Sequence, residues 1–289
     1  MFITETNGGT FNVSTTGAGP ISLTNTTGTL TIATPISTGS GAITLSSGDA
    51  VALNANVGGA TTGTVTINAN TNGAGAESFT MGAGGSITTT NATAGAVAIN
   101  VNAAAGGTGG AALQNITVGS GGSITVATNT GGNTTGGSIT QAPGTLLNAG
   151  TGTVSLVTPA AGTSGIGTAG ANILTTAGNI TATAGSGGVF ITESDGASFT
   201  ATATGAGQIS LTSTAGTLTI AGPTSTGSGA ITLSSGDAIA VNANVGGAGS
   251  SLITINTNTD GSGRGQLHHE CGRVDHDHEC HGRTRCDST

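Results

Sequence analysis

The chain has few charged side chains and lacks several residue types over most of its length. Of its 289 residues, 6% are charged, and there is no Trp or Tyr. Residues 1–263 contain no Lys, Arg, His or Cys. This part of the chain therefore has no phosphate-binding lysine and no histidine base. We also expect no nucleic-acid partner, because that binding depends on clustered Lys and Arg.

Long apolar runs and an export signal are missing as well. No run approaches the roughly 20 apolar residues that a membrane-spanning helix needs, so we expect no membrane span. The first six residues, MFITET, have neither a charged nor an apolar region typical of a signal peptide. A cysteine-free body is typical of secreted or surface proteins and equally of proteins that do not use thiols. If the protein is exported, we expect its signal upstream of this sequence.

A long internal repeat organises the chain. Phe2–Glu5 returns as Phe190–Glu193, and Gly39–Ala50 returns unchanged as Gly227–Ala238. The offset is 188 residues throughout, without a gap. Such preserved register indicates that one unit was duplicated whole, as in repeat proteins whose units stack on their neighbours.

The repeat divides the sequence into three segments. Residues 1–188 form the first copy of a solenoid unit, and residues 189–263 form a partial second copy of the same solenoid. Met1 stands where the second copy has Val189, and one valine codon also serves as a bacterial start codon. We therefore interpret the chain as a fragment whose start was assigned inside a longer repetitive gene.

Residues 264–289 resemble nothing upstream. The offset places Gln266 opposite Ser78, and codons permitted for the tail, read one base later, recover the first copy at 17 of the 18 positions 266–283. We interpret this segment as the repeat translated out of frame and expect it to be disordered, because it has almost no aliphatic residues. Its Cys and His residues resemble a metal-binding cluster, but the shifted frame accounts for them, so we predict no metal site and no cofactor. They are His268, His269, Cys271, His276, His278, Cys280, His281 and Cys286.

Short runs in residues 1–263 alternate between aliphatic and small polar residues. This period of two buries one face of a β-strand and exposes the other. The runs are separated by Gly, Ser, Asn and Thr, which are turn residues. The pattern predicts that Thr66 points outward and that five aliphatic residues face the core: Ile43, Leu45, Val97, Ile99 and Val101.

Strands this short are compatible with a sandwich, a disordered low-complexity chain or a β-solenoid. The gap-free duplication, the small aliphatic residues and the frequent glycines favour an all-β, right-handed parallel β-helix. We expect about a dozen coils of about 20 residues, which form a rod on the order of 60 Å long. Stacked rows of Thr, Ser and Asn should add hydrogen bonding between coils. Both ends of such a rod are open edges, so end-to-end self-association is a further expectation.

The runs Gly41–Ala50, Gly84–Asn91 and Gly121–Ala127 resemble the repeats of large bacterial adhesins. These are the filamentous-haemagglutinin-like and autotransporter-type surface proteins, and the resemblance covers residues 1–263. It implies a right-handed β-helical stalk on a secreted or cell-surface protein, with an unidentified surface ligand or glycan as partner. The resemblance is one of composition and period, and no secretion signal, anchoring barrel or binding module accompanies it.

Other β-helical proteins are polysaccharide lyases or hydrolases, which need clustered carboxylates. The acids of residues 1–263 are isolated, so we predict no catalytic residue: Glu5, Asp49, Glu77, Glu193, Asp195, Asp237 and Asp260. We expect the Asp residues at positions 49 and 237 to form turns and the Glu residues to be solvated. The function we expect is therefore a non-enzymatic structural or adhesive segment.

A second hypothesis comes from four Thr-x-Thr pairs, since flat threonine arrays on β-solenoids resemble ice-binding proteins. The pairs are irregularly spaced along the sequence, and outward threonine also suits any half-exposed strand. Ice binding is therefore the alternative to the stalk. The pairs are Thr29/Thr31, Thr64/Thr66, Thr88/Thr90 and Thr181/Thr183.

Overall fold

The computed structural model consists of short strands joined by turns. It describes residues 1–60, 62–90, 95–129, 132, 134–247, 249, 252–262, 266–269 and 278–280, and no helix occurs in these ranges. The strands pair in parallel and form two long sheets. The prediction of an all-β parallel β-helix is therefore confirmed.

The described residues form thirty strands, numbered in chain order. The strands of residues 1–70 are β1 Phe2–Glu5, β2 Gly9–Phe11, β3 Ile21–Asn25, β4 Leu30–Ile32, β5 Ile43–Ser47, β6 Val51–Leu53, β7 Asn56–Gly58 and β8 Thr64–Ala69. The rest of the first copy contains β9 Phe79–Met81, β10 Ser86–Thr89, β11 Ala96–Val101, β12 Ala111–Leu113, β13 Asn115–Val118, β14 Ser123–Ala127, β15 Ile139–Gln141, β16 Leu147–Asn148, β17 Thr153–Val157, β18 Gly165–Ile166, β19 Ile173–Thr176 and β20 Asn179–Ala184. After residue 187 follow β21 Gly188–Glu193, β22 Ala197–Ala203, β23 Ile209–Ser213, β24 Leu218–Thr226, β25 Ile231–Ser235, β26 Ile239–Val241, β27 Val245–Gly247, β28 Ile253–Asn256, β29 Leu267–His269 and β30 His278–Cys280.

The two sheets differ in the number of strands that each coil contributes to them. Sheet one has 13 strands and runs along β1, β3, β5, β8, β11, β14, β17, β20, β22, β24, β26 and β29, with β27 beside β24. Sheet two has 17 strands and takes two short strands from several of the middle coils. Sheet one alone defines about a dozen stacked levels, which at about 4.8 Å per level give a rod of about 60 Å.

The core is a stack of aliphatic side chains between the sheets. Ile43, Leu45, Ile99 and Val101 are 0% exposed and Val97 is 1% exposed, which confirms the predicted inward face. Alternate residues of these strands are half-buried on the outer side. The period-two pattern therefore fixes the orientation of the strands.

The coils are not uniform in length. Hydrogen bonds between equivalent side chains of successive coils span 22 residues at Asn25–Ser47, 32 at Asn70–Asn102 and 19 at Thr183–Thr202. The expected length of about 20 residues thus holds near both ends of the repeat and is too short for its middle. The additional residues are in turns and in the extra short strand of sheet two, and neither has a strong sequence pattern.

The two copies of the repeat place the same sequence in different sheets. Strands β3 and β5 lie in sheet one, but their copies β23 and β25 lie in sheet two. The change begins where β18 and β19 both pair with the single longer strand β21. It is complete at β22, which lies in sheet one although its first-copy counterpart β2 lies in sheet two. The 188-residue unit therefore does not contain a whole number of coils.

Two short stretches of the tail extend the sheets. Leu267–His269 pairs with Ile239–Val241, as Phe79–Met81 pairs with Val51–Leu53 in the first copy. His278–Cys280 pairs with β28. The pairing of these six residues contradicts the expectation that the tail does not continue the stack. It is possible because backbone hydrogen bonding to a sheet edge does not depend on side chains. Most of the predicted disordered segment lies outside the described residues.

Candidate functional site: outer polar rows and isolated carboxylates

The outer face of sheet one carries a continuous row of small side chains. Strand pairing places them directly above one another at a spacing of about 4.8 Å. All but one of the side chains in this row are Ser or Thr. The row consists of Ser22, Thr44, Thr66, Ala98, Thr125, Ser155, Thr181 and Thr200.

The four predicted Thr-x-Thr pairs are divided between the sheets. Thr64/Thr66 and Thr181/Thr183 lie in β8 and β20 of sheet one, whereas Thr31 and Thr88 lie in β4 and β10 of sheet two. The spacing along the sequence is irregular because the coils differ in length. In space, Thr66 and Thr181 belong to the same row, which the sequence spacing did not indicate.

Neighbouring coils are also joined by hydrogen bonds between side chains of these outer rows. The Asn100 Nδ2 donates to Asn68 Oδ1 at 3.0 Å, and the Thr202 hydroxyl donates to Thr183 Oγ1 at 3.3 Å. Such ladders confirm the expectation that stacked polar rows add hydrogen bonding between coils. They restrain the side chains and keep the outer surface regular.

A second polar ladder lies inside the coil corner. Asn70 and Asn102 have positive φ angles of 53° and 60°, a backbone conformation that asparagine tolerates better than most residues. Asn70 Nδ2 donates to Asn102 Oδ1 at 2.9 Å, and Asn102 Nδ2 donates to the carbonyl oxygens of Gly109 and Thr128 at 2.8 Å. Both side chains are 0% exposed, so the ladder satisfies polar groups of the turn that water cannot reach.

Asp49 and Asp237 stabilise turns, as predicted. The Asp49 Oδ2 accepts from the Gly28 amide of the preceding coil, and Oδ1 accepts from Asn72 Nδ2 at 2.7 Å. Asp237 Oδ2 accepts from the Gly216 amide at 2.7 Å. Gly28 has φ +79°, and a Cβ there would lie 2.8 Å from the carbonyl oxygen of the previous coil, so the turn requires glycine.

Glu193 is buried, which corrects the expectation that the Glu residues are solvated. Its side chain is 0% exposed, with Oε1 accepting from the Ala177 amide at 3.3 Å and Oε2 from the Asp195 and Gly196 amides at 2.8 and 2.5 Å. Burial, followed by the nearby Asp195 carboxyl, raises the pKa of Glu193 above its ordinary value, against the lowering effect of the amides. The coil before β21 covers this residue. No such coil covers its copy Glu5, which is half-buried.

The remaining carboxylates of the described residues have separate contacts. Asp195 is exposed, and the carboxylate of its neighbour Glu193 accepts hydrogen bonds from three backbone amides. Asp260 accepts hydrogen bonds from the Ser262 hydroxyl and amide, which lower the pKa of this exposed carboxyl. Glu77 is half-buried beside Gly75. Among the carboxylates that the structure describes, these contacts do not bring together the two free carboxyl groups that a glycosidase uses.

Within the described part of the chain, no group of three or more His, Cys, Asp or Glu residues could hold a metal ion. Of the Cys/His segment, only the His268 side chain falls in that part, and its Nε2 lies 2.9 Å from Gln266 Oε1. Cys271, His276, His281 and Cys286 lie outside the described residues.

Comparison with known proteins gives no relative. No protein-family model, curated protein or solved structure matches the chain. The described residues also contain no helix long and apolar enough to cross a membrane. The fold and its surfaces are therefore the basis for a functional proposal.

Proposed function

We propose that the chain is a non-enzymatic stalk segment of a secreted bacterial surface protein, which holds adhesive or interaction surfaces away from the cell. The observation that carries this proposal is the unbroken stack of parallel coils with an aliphatic core and a small, polar exterior. Such a stack separates its two ends by about 60 Å. It can lengthen by addition of coils without changing its cross-section.

The carboxylates support a structural role. Asp49, Asp237 and Glu193 accept hydrogen bonds from backbone amides of turns or neighbouring coils. A carboxylate used in this way stabilises the coil corner. We propose a surface ligand or glycan as the partner of the whole protein, bound through the polar exterior.

Surface exposure and activity test this proposal. Antibodies raised against the purified chain should label intact cells that produce the parent protein, and labelling only after permeabilisation would contradict the proposed location. The purified chain should neither hydrolyse nor eliminate polysaccharides. An activity that disappears in Asp49→Asn or Asp237→Asn but persists in the control Thr44→Ala would replace the stalk by an enzyme.

A second candidate function, ice binding, is favoured by the row of Ser and Thr on sheet one. The row lies on a β-sheet face, and side-chain hydrogen bonds between coils restrain the neighbouring row. If this face binds ice, the chain should inhibit ice recrystallisation. Replacing Thr66 and Thr125 by Lys should abolish the inhibition, whereas the same change at Thr31 and Thr80 on sheet two should leave it intact. Equal activity of the two double variants would exclude the sheet-one face.

A further inference from the structure

A coil corner of the first copy contains an asparagine whose side chain is held at both of its polar atoms. Asn72 is exposed and lies in the turn between β8 and β9. Its Oδ1 accepts from the Ala74 amide at 2.8 Å, and its Nδ2 donates to Asp49 Oδ1 of the preceding coil at 2.7 Å. This carboxamide therefore joins two coils while it remains in contact with water.

The packing of the coils requires glycine directly after Asn72. Gly73 has φ +69°, and a Cβ there would lie 2.7 Å from the carbonyl oxygen of Ala105 in the next coil. The Gly73 amide donates to the Asn70 carbonyl at 3.3 Å, which is long for a backbone hydrogen bond. The fold thus places an unshielded and weakly held amide next to an exposed asparagine.

This arrangement favours attack of the Gly73 nitrogen on the Asn72 side chain. The two groups belong to adjacent residues, so the reaction is intramolecular and does not have to bring two molecules together. Addition of a nucleophile to Cγ moves negative charge onto Oδ1. The Ala74 amide already donates to that oxygen and stabilises the charge as it develops.

The second copy of the repeat contains an aspartate at the equivalent position. Asp260 stands where the first copy has Asn72, and its Oδ1 accepts from the Ser262 amide at 3.0 Å, so an aspartate fits the same turn. The Ser262 hydroxyl donates to Asp260 Oδ2 at 2.6 Å. The first copy has Ala74 in place of that serine. A carboxylate at position 72 would therefore lack this donor and would face Asp49, which repels it.

We propose that Asn72 is a site of spontaneous deamidation and that its conversion breaks the contact with Asp49. The Gly73 nitrogen loses its proton to hydroxide and forms a bond to Cγ. The bond between Cγ and Nδ2 breaks, and Nδ2 takes a proton from water and leaves as ammonia. The product is a cyclic imide, and the reaction does not depend on the stalk function.

Water then opens the imide at one of its two carbonyl carbons. Opening at Cγ gives aspartate, whereas opening at the main-chain carbonyl carbon gives isoaspartate, in which the backbone runs through the former side chain. Either product is about 1 Da heavier than asparagine and carries one additional negative charge. Water is the only co-reactant.

Ageing of the full chain tests the reaction, with Asn148 as a control in the same molecule. The Asn148 Oδ1 also accepts from the amide two residues ahead, at 3.0 Å. Ala149 follows it, however, and the Ala149 amide donates to the Thr176 carbonyl at 2.8 Å. The control therefore has the same side-chain contact but a following nitrogen that is shielded and well bonded.

Digestion after Asp and Glu separates the two sites, because Asn72 lies in residues 50–77 and Asn148 in residues 78–193. Mass spectrometry with fragmentation should show a gain of about 1 Da at Asn72, together with isoaspartate. The gain should be faster at mildly alkaline than at mildly acidic pH, because the attacking nitrogen must lose a proton. Asn148 should keep its mass, and so should Asn72→Gln, whose longer side chain would have to close a larger ring.

The chain unfolded in urea shows that the incubation is long enough, because Asn72 and Gly73 are then free to react. If Asn72 converts in urea but keeps its mass in the folded chain, the proposal is wrong. Equal conversion of Asn72 and Asn148 in the folded chain would also overturn it, since the glycine corner would then not select the site.

Hydrogen exchange tests the effect on the contact between coils. The amides of Asn70 and Asn72 donate to the carbonyls of Asp49 and Gly48. Asn72→Asp should speed exchange of both amides, because two carboxylates then face each other. Addition of Asp49→Asn interchanges the amide and the acid and should restore the protection of the wild type. Unchanged exchange in Asn72→Asp, or no recovery in the double variant, would overturn the proposed loss of the Asp49 contact.

Discussion

Replacing Ile99 by Asp should unfold the middle of the solenoid, whereas the same charge at Thr66 should be tolerated. Ile99 is 0% exposed and stacks between Ile67 and Val126 of the adjacent coils. Its removal forfeits about 2–3 kcal/mol of apolar burial. An unpaired buried carboxylate adds several kcal/mol more. The expected loss of about 5 kcal/mol approaches the whole stability of an ordinary domain.

Thr66 lies on the neighbouring strand with its side chain on the outer face. An Asp there remains hydrated, and its strand partners Thr44 and Ala98 carry no charge. The expected change in the free energy of unfolding is therefore within about 0.5 kcal/mol. Ile99→Val, which removes one methyl group, should lie between the two at about 1 kcal/mol.

Urea unfolding followed by far-ultraviolet circular dichroism measures all three variants. Local unfolding of a repeat stack can separate from the global transition. Hydrogen exchange at β8, β11 and β14 should therefore be recorded in parallel. If Ile99→Asp and Thr66→Asp unfold at the same urea concentration, or if both leave these strands equally protected, the aliphatic stack does not hold the coils together.

Three further changes probe particular contacts. Phe190→Ala should lower the free energy of unfolding by about 3 kcal/mol, whereas Phe2→Ala should have little effect, because the two rings are 8% and 79% exposed; equal losses in thermal unfolding would contradict the described burial. Asn102→Ala should cost about 2–4 kcal/mol in urea unfolding, because it removes buried hydrogen bonds at a residue with positive φ, and a neutral result would disprove a stabilising ladder. The raised pKa of Glu193 means that its protonation favours the folded state, so this contribution is complete below the ordinary glutamate pKa and is lost as the pH rises through the folded pKa. The melting temperature of the wild type relative to Glu193→Gln should therefore decrease from acidic to neutral pH, and a pH-independent difference would show that Glu193 does not titrate between these limits.

The alternation of aliphatic and polar residues was sufficient to predict the strands and the inward face, including Ile99 and Val101. That signal is local, because adjacent residues of a strand point to opposite sides. Coil length in the middle of the repeat was not predictable in the same way. It depends on turns rich in Gly and Thr, whose sequence does not fix where the chain rejoins the stack.

Burial of Glu193 could not be read from its own segment. The sequence FITE occurs at Phe2–Glu5 and at Phe190–Glu193, yet only the second is covered by a preceding coil. The cover is formed by β18 and β19, which precede this segment in the chain. The row of Ser and Thr was not predictable for the same reason. Thr66 and Thr181 align in space only because the coils between them differ in length, and the sequence does not show those lengths.

The exchange of sheets between copies changes what a gene duplication does to this protein. A duplicated segment usually receives the same structural role as its parent, and both copies remain under the same selection. Here β3 and β23 keep similar sequences but occupy different sides of the rod. This duplication therefore placed an existing surface sequence on a second side of the rod, where it can acquire a separate role, while the inherited alternation of aliphatic and polar residues keeps the same residues facing the core.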